Sequence, residues 1–259
     1  MDWKKWGAII VLLLSIWIYL EWPDDNLHVV FCDVGQGDGA LVVLGSFQAV
    51  VDTGAYEDKI LKCLADHVPF WDRQIELVLL SHSDKDHVGA LGGIKKHYKI
   101  GNIISKAKEK DLIRYGMLSF EILKGSENNV YVPMSGSSES NELSVVMRMV
   151  YGRVSVLFTG DIDLENELAM VSSGVLRQTE VLKVSHHGSK YSSSLEFLEV
   201  VKPKYSIISV GKKNSYGHPS SDNLMRLDVV KTKVLRTDLL GEIEFVSDGK
   251  TTNVFVKRN

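Results

Sequence analysis

His82, Asp84, Asp86 and His87 put four metal-binding side chains within six residues, in the stretch Ser81-His82-Ser83-Asp84-Lys85-Asp86-His87. Imidazole nitrogen and carboxylate oxygen both suit zinc, and the carboxylates extend the choice to manganese. Two acids and two imidazoles packed this densely gain most when a divalent cation neutralises them. A solvated polar loop with incidental histidines is the competing reading, and the position of the cluster weighs against it. The apolar run Leu77-Val78-Leu79-Leu80 reads as a buried strand and Val88 to His97 as a helix start. The cluster therefore falls on a strand-to-helix loop at the carboxyl end of a strand, where α/β architectures place chemistry.

Other polar words also follow strand-like runs. His28 to Cys32 leads into Asp33-Val34-Gly35-Gln36-Gly37-Asp38-Gly39, whose glycines let the backbone approach a ligand or another loop closely. A hairpin, Ala40 to Leu44 and Phe47 to Val51, ends in Asp52-Thr53-Gly54. The strand Arg153 to Phe158 ends in Thr159-Gly160-Asp161, and Val181 to Val184 runs into Ser185-His186-His187-Gly188-Ser189. Vicinal histidines point to opposite sides of an extended chain, so one of the pair faces any site. Tyr205 to Val210 precedes Gly217-His218-Pro219, where the proline stiffens the loop beside the histidine.

The elements between these words are helices at Glu57 to His67, Leu164 to Ser172, Leu195 to Val201 and Asp222 to Val230, with closing strands from Lys233 onward. Ser135 to Ser140 is a Ser/Gly-rich loop. At 259 residues and 44% hydrophobic content the chain has ample material for a core. The net charge is -3 overall. From Leu27 onward 28 basic face 29 acidic residues, so no global field draws nucleic acid or an anionic surface. Cysteines number two, which excludes a disulfide framework and a cysteine-built metal knot. One bridge stays open, and Cys32, in a strand-like apolar run, reads as a small buried hydrophobe.

The N-terminus is a different material. Trp6 to Leu20 carries no charge, follows Lys4 and Lys5, and has tryptophans at 3, 6, 17 and 22 that resemble interfacial anchors. We expect residues 1–22 to be an uncleaved signal anchor, 23–26 a linker and 27–259 the working domain. That places the chain in the cell membrane as a single pass with the domain outside, secretion after cleavage being the alternative.

His-x-Asp-x-Asp-His resembles the His-x-His-x-Asp-His signature of the metallo-β-lactamase superfamily, with Asp84 where a histidine usually stands. Together with Asp-Val-Gly-Gln-Gly-Asp at 33–38, Thr-Gly-Asp at 159–161, His-His-Gly-Ser at 186–189 and Tyr-Gly-His-Pro at 216–219, it resembles the hydrolase domain of ComEC-type competence proteins. The resemblance runs from His28 to the C-terminus. It implies an α+β fold, a four-layer αβ/βα sandwich, and a metal-dependent hydrolase with two divalent ions, Zn²⁺ or Mn²⁺. By that resemblance His82 and Asp84 bind the first ion, Asp86, His87 and His218 the second, and Asp161 bridges both. Asp52 either steadies a ligand from behind or simply forms a turn. Asp86 would also accept a proton, and His186 or His187 would protonate the leaving group or steady a phosphoryl oxygen. No third histidine ligand stands between His97 and His186, which leaves water or Asn141 to fill in. Asp84 hardens the first position and favours Mn²⁺.

The implied substrate is a phosphodiester, with DNA the leading choice and Lys85, Lys183 and Lys190 the nearest lysines to contact it. A cell-wall phosphodiester or a lactone, or a non-catalytic metal-binding role, are the alternatives. The oligomeric state is not legible.

Overall fold

The computed structural model describes residues 3–20, 22–126 and 143–257. Two mixed sheets face each other. The first holds β1 (Leu27–Phe31), β2 (Gly39–Leu44), β3 (Phe47–Thr53), β4 (Gln74–Leu79), β5 (Lys99–Ile104), β13 (Glu242–Ser247) and β14 (Thr252–Lys257), in the order β14-β13-β1-β2-β3-β4-β5. The second holds β6 (Leu112–Tyr115), β7 (Leu118–Lys124), β8 (Val146–Tyr151), β9 (Val154–Phe158), β10 (Val181–Lys183), β11 (Tyr205–Ile208) and β12 (Lys233–Arg236), in the order β12-β11-β10-β9-β8-β7-β6.

Side-chain alternation explains the layers. In β1, Val29 and Phe31 enter the core between the sheets, while Val30 points outward to the core beneath the helices. The inner core joins the sheets through contacts such as Phe31 on Phe158, ring centroids 6.0 Å apart. On the outer face of the first sheet lie α2 (Glu57–His67) and, after the single turn α3 (Lys85–Val88), α4 (Leu91–His97), burying Ile60, Leu64, Leu91 and Ile94. On the outer face of the second lie α5 (Leu164–Ser173), α6 (Leu195–Val201) and α7 (Ser221–Val229), burying Met170, Phe197, Leu198 and Leu227. The result is helix, sheet, sheet, helix, as the resemblance implies.

Parallel pairing decides where the polar words end up. β3 pairs parallel to β4, and β9, β10, β11 and β12 pair parallel in succession. Parallel neighbours need helical crossovers, so the carboxyl ends of these strands line up along one edge. Asp52, the 81–87 loop, Asp161, His187 and His218 all follow such ends.

Two expectations are corrected. Trp3–Leu20 does form a helix, α1, but of 18 residues, about 27 Å at helical rise against a hydrocarbon core of about 30 Å. Lys4 and Lys5 lie within it, and Trp17 stacks on Phe70 of the domain at 4.4 Å. Among the described residues no helix is long and apolar enough to cross a membrane. The expected signal anchor, and the single-pass membrane placement built on it, are therefore not supported. The second correction concerns Cys32. It is fully buried, but it is bonded to Cys63 of α2 with Cα atoms 5.8 Å apart. The helix that crosses over the first sheet sets Cys63 against Cys32, a proximity that no local pattern announces.

Candidate metal centre

Asp52 is the carboxylate on which the centre is assembled. Ser81 donates to it twice, through N–H to Oδ1 at 2.8 Å and through Oγ–H to Oδ2 at 2.7 Å. The Nδ1 of His87 donates to the same Oδ2 at 3.0 Å. With the Ser81 hydroxyl proton so engaged, Nδ1 of His82 donates to Ser81 Oγ at 2.9 Å. Nδ1 of His187 donates to the carbonyl of Ser209 at 2.9 Å. All three imidazoles thus spend Nδ1–H on the protein and present Nε2 as the free lone pair, the arrangement found in histidine ligands. Asp52 thus holds the His87 ring from behind.

Those Nε2 atoms converge. His87 Nε2 lies 3.4 Å from Asp161 Oδ1, and His187 Nε2 lies 3.4 Å from both Asp161 Oδ2 and Asp86 Oδ2. Donor atoms of Asp86, His87, Asp161 and His187 all fall within 4.8 Å of one another. His82 joins from the side, its ring 4.0 Å from that of His87 and its Nε2 3.8 Å from Asp84 Oδ2. The Nε2 atoms of His82, His87 and His187 and Oδ1 of Asp161 are buried without a hydrogen-bond partner among the described residues. Buried polar atoms are ordinarily paired, so a donor set left open in this way fits a divalent cation.

Electrostatics agree. Burial alone would raise Asp161, but the His187 and His87 charges hold its carboxyl well below the usual range. Asp86 is likewise lowered despite burial, by the adjacent His187, 3.4 Å away, and by the charge of His87. Burial would lower His87 and His187, yet Asp161 first, then Asp52 and Asp38 for His87 and Asp38 for His187, raise both well above the ordinary imidazole value. Without an ion, these two rings carry the positive charge the acids require. His82 goes the other way, pushed down to about 3 by burial and by the charge on His87.

The remaining expected residues sit at the rim. His186 is half-buried, its ring centroid 5.7 Å from His218 and 6.2 Å from His187. The pair has left-handed backbone, φ 49° at His186 and 53° at His187, which lets His187 turn inward while His186 stays outside. His218 is held by Asn214, whose Oδ1 accepts from its N–H at 3.0 Å and whose Nδ2 donates to its carbonyl at 2.9 Å. Tyr216 stacks beside its ring, 6.0 Å away. The compact four-donor set thus contains His187, expected as an acid, and leaves out His82, Asp84 and His218, expected as ligands. Asn141 and the Ser135–Ser140 loop lie outside the described residues. Ser144, just beyond them, is buried and accepts from Asp161 N–H at 3.2 Å.

Two residues escaped the sequence reading. Asp38 reaches in from the glycine loop, Oδ1 3.3 Å from His187 Nδ1. Lys183, expected to contact DNA, is 3% exposed and ion-paired with Asp38. Lys85 and Lys190 are exposed as expected. A further Cys63, His67 and Glu242 grouping has its sulfur committed to the disulfide.

The chain is 32% identical to ComE operon protein 3 of Bacillus subtilis over 92% of its own length and 35% of that protein. It is 30% identical to competence protein ComA of Neisseria gonorrhoeae, over 86% of the chain and 33% of the relative. The chain therefore spans about a third of the curated relatives it matches. In fold it is similar to the metallo-β-lactamase fold protein YhfI of Bacillus subtilis, TM-score 0.59 at 14% identity, over 86% of this chain and all of that one. The family model for the metallo-beta-lactamase superfamily matches residues 32–142 and 139–212. On motif, topology and family match together, this chain belongs to the metallo-β-lactamase superfamily.

Proposed function

We propose that the domain is a divalent-metal-dependent phosphodiesterase, with nucleic acid as its leading substrate. The observation that carries this reading is the convergence of orphaned Nε2 atoms on Asp161 and Asp86 at one edge of the sandwich. Asp86, His87, Asp161 and His187 would hold an ion, with His82 and Asp84 the adjacent donors for a second. A bound divalent ion supplies Lewis acidity, which acidifies water and stabilises charge growing on a phosphoryl oxygen.

The chain's own residues do the rest. Asp86 stays ionised through neutral pH, which suits a cation donor better than a proton acceptor. His186 is lowered by burial, so at neutral pH its uncharged ring offers one N–H to a phosphoryl oxygen. His218, beside it, is pushed down to about 4 by burial and then by His186, and presents a second neutral ring. Exposed Lys85 and Lys190 give a backbone phosphate a positive approach, and the similarity to a protein named competence protein ComA makes DNA the first substrate to try.

The test is hydrolysis of bis-p-nitrophenyl phosphate and of linear DNA by the purified chain with Mn²⁺, with Zn²⁺ and after chelation. We expect turnover that needs the ion, is highest with Mn²⁺ and disappears in Asp161→Asn. Cleavage of a lactone with neither phosphodiester touched would overturn the proposal, as would equal turnover after chelation.

A further inference from the structure

Lys183 is buried within a cluster of acids, and the chemistry above does not use it. Its ammonium pairs with Asp38 Oδ2 and lies 4.0 Å from Asp161 Oδ1. Asp38, Asp52 and His87 themselves satisfy the spacing of a cation site, with donor atoms within 4.8 Å of one another. Yet that set has no place for a metal. Both oxygens of Asp52 are committed to Ser81 and His87, and Oδ2 of Asp38 is committed to Lys183, which leaves only Asp38 Oδ1, beside His187 Nδ1, without a hydrogen bond among the described residues. The void beside them, lined by Asp38, Asp52, Ser81, Gly160, Lys183 and Ser209, measures about 10 Å³, room for one water at most.

We propose that the Lys183 ammonium is the centre's built-in cation, neutralising Asp38 and part of the charge on Asp161 in the place of an ion. A buried carboxylate is tolerated only when paired, and three of them, Asp38, Asp52 and Asp161, meet here beside the half-buried Asp86. A fixed charge that cannot dissociate keeps these acids together when the adjacent divalent site is empty. It also repels an incoming divalent ion, because like charges a few ångströms apart in a poorly solvated interior are only weakly screened. Lys183 therefore lends stability to the metal-free fold and weakens the hold on metal, so that loading stays reversible. The geometry also gives a reason for a lysine here: its stem crosses the inter-sheet core, since Lys183 shares the face of β10 with Val181.

This inference rests on the metal-centre reading above, and the experiment separates the two. Lys183→Met keeps the stem and removes the charge, Asp38→Asn removes the partner, and the double variant removes both. Thermal unfolding of the chelated proteins and Mn²⁺ titration followed calorimetrically are the readouts. Expected are a lowered melting temperature and Mn²⁺ affinity raised at least about tenfold in Lys183→Met. In the double variant the melting temperature should recover in part and the affinity should fall back toward wild type. A packing role would give additive losses in the double variant and unchanged affinity, and would overturn the proposal. Should Lys183→Met not fold, a folded double variant supports the charge role and an equally insoluble one refutes it. If wild type binds no Mn²⁺, the metal-centre reading fails, while recovery or additivity in the chelated unfolding series still decides Lys183.

Discussion

Gly37 lies directly against the carbonyl of Asp86: a β-carbon at position 37 would stand 1.9 Å from that oxygen. Its φ of +107° is also one that side chains rarely adopt, and the next residue, Asp38, donates N–H to the same carbonyl at 3.1 Å. The glycine loop is thus a clamp on the ligand loop. Gly37→Ala should cost at least about 2 kcal/mol in chemical denaturation and should weaken metal retention, because Asp86 and Asp38 must both move. Wild-type stability with wild-type retention would show that the clamp is not needed.

Asp52 lies outside the four-donor set yet fixes the tautomers of His82, through Ser81, and of His87 directly. Partners of metal-ligating histidines typically matter tenfold to hundredfold in affinity. Asp52→Asn should therefore lower Mn²⁺ or Zn²⁺ affinity by about that range while leaving the four-donor set intact, as competition with a fluorescent chelator would show. An affinity within twofold of wild type would reduce Asp52 to a turn former.

The Cys32–Cys63 bond closes a loop with a sequence separation of 31. By the loop-entropy account such a cross-link contributes about 3.5 kcal/mol. A Cys32→Ala, Cys63→Ala variant should unfold at correspondingly lower denaturant, and treatment with a dithiol should leave its midpoint unmoved. A wild-type midpoint equally indifferent to the dithiol would show that the bond stays inaccessible in the folded state or contributes little.

In the metal-free protein the histidines set opposite pH slopes. His82 and His218 are depressed, to about 3 and about 4, whereas an unfolded chain protonates them near 6.5. Their contribution to stability is complete above about 6.5 and is lost as pH falls toward the folded values. His87 and His187 are raised, so theirs is complete below about 6.5 and is lost only as pH climbs through the raised values. The lowered carboxyls of Asp38, Asp86 and Asp161 keep their contribution down to about 3.8 and lose it below. Between pH 6.5 and 4 the melting temperature should therefore fall, and His82→Gln should fall less. Parallel curves for the two proteins would remove His82 from this account.

Much of this was legible in advance because strand, polar word and helix recur in order. The parity of Val29, Val30 and Phe31 reads out the two faces of β1, and the spacing of Ile60 and Leu64 reads out the buried stripe of α2. What failed is instructive in each case. Lys183, expected to contact DNA, is buried instead, and its parity with Val181 puts it on the inter-sheet face. One histidine of the 186–187 pair does face the site, but through left-handed backbone at both residues and not through an extended chain. Asp38 offered no periodic signal at all, being aimed by the glycines around it. The apolar N-terminal run suggested a membrane crossing, and the helix it forms is too short. The disulfide depended on where α2 lies across the sheet, a tertiary fact.

The four-donor set is divided between the sheets. Asp86 and His87 follow β4 of the first, while Asp161 and His187 follow β9 and β10 of the second. Neither half of the chain can hold an ion at full strength alone. A chain nicked between Asp111 and Ser144 would recover tight binding only when both pieces reassociate, which makes the ion a reporter of correct docking between two halves.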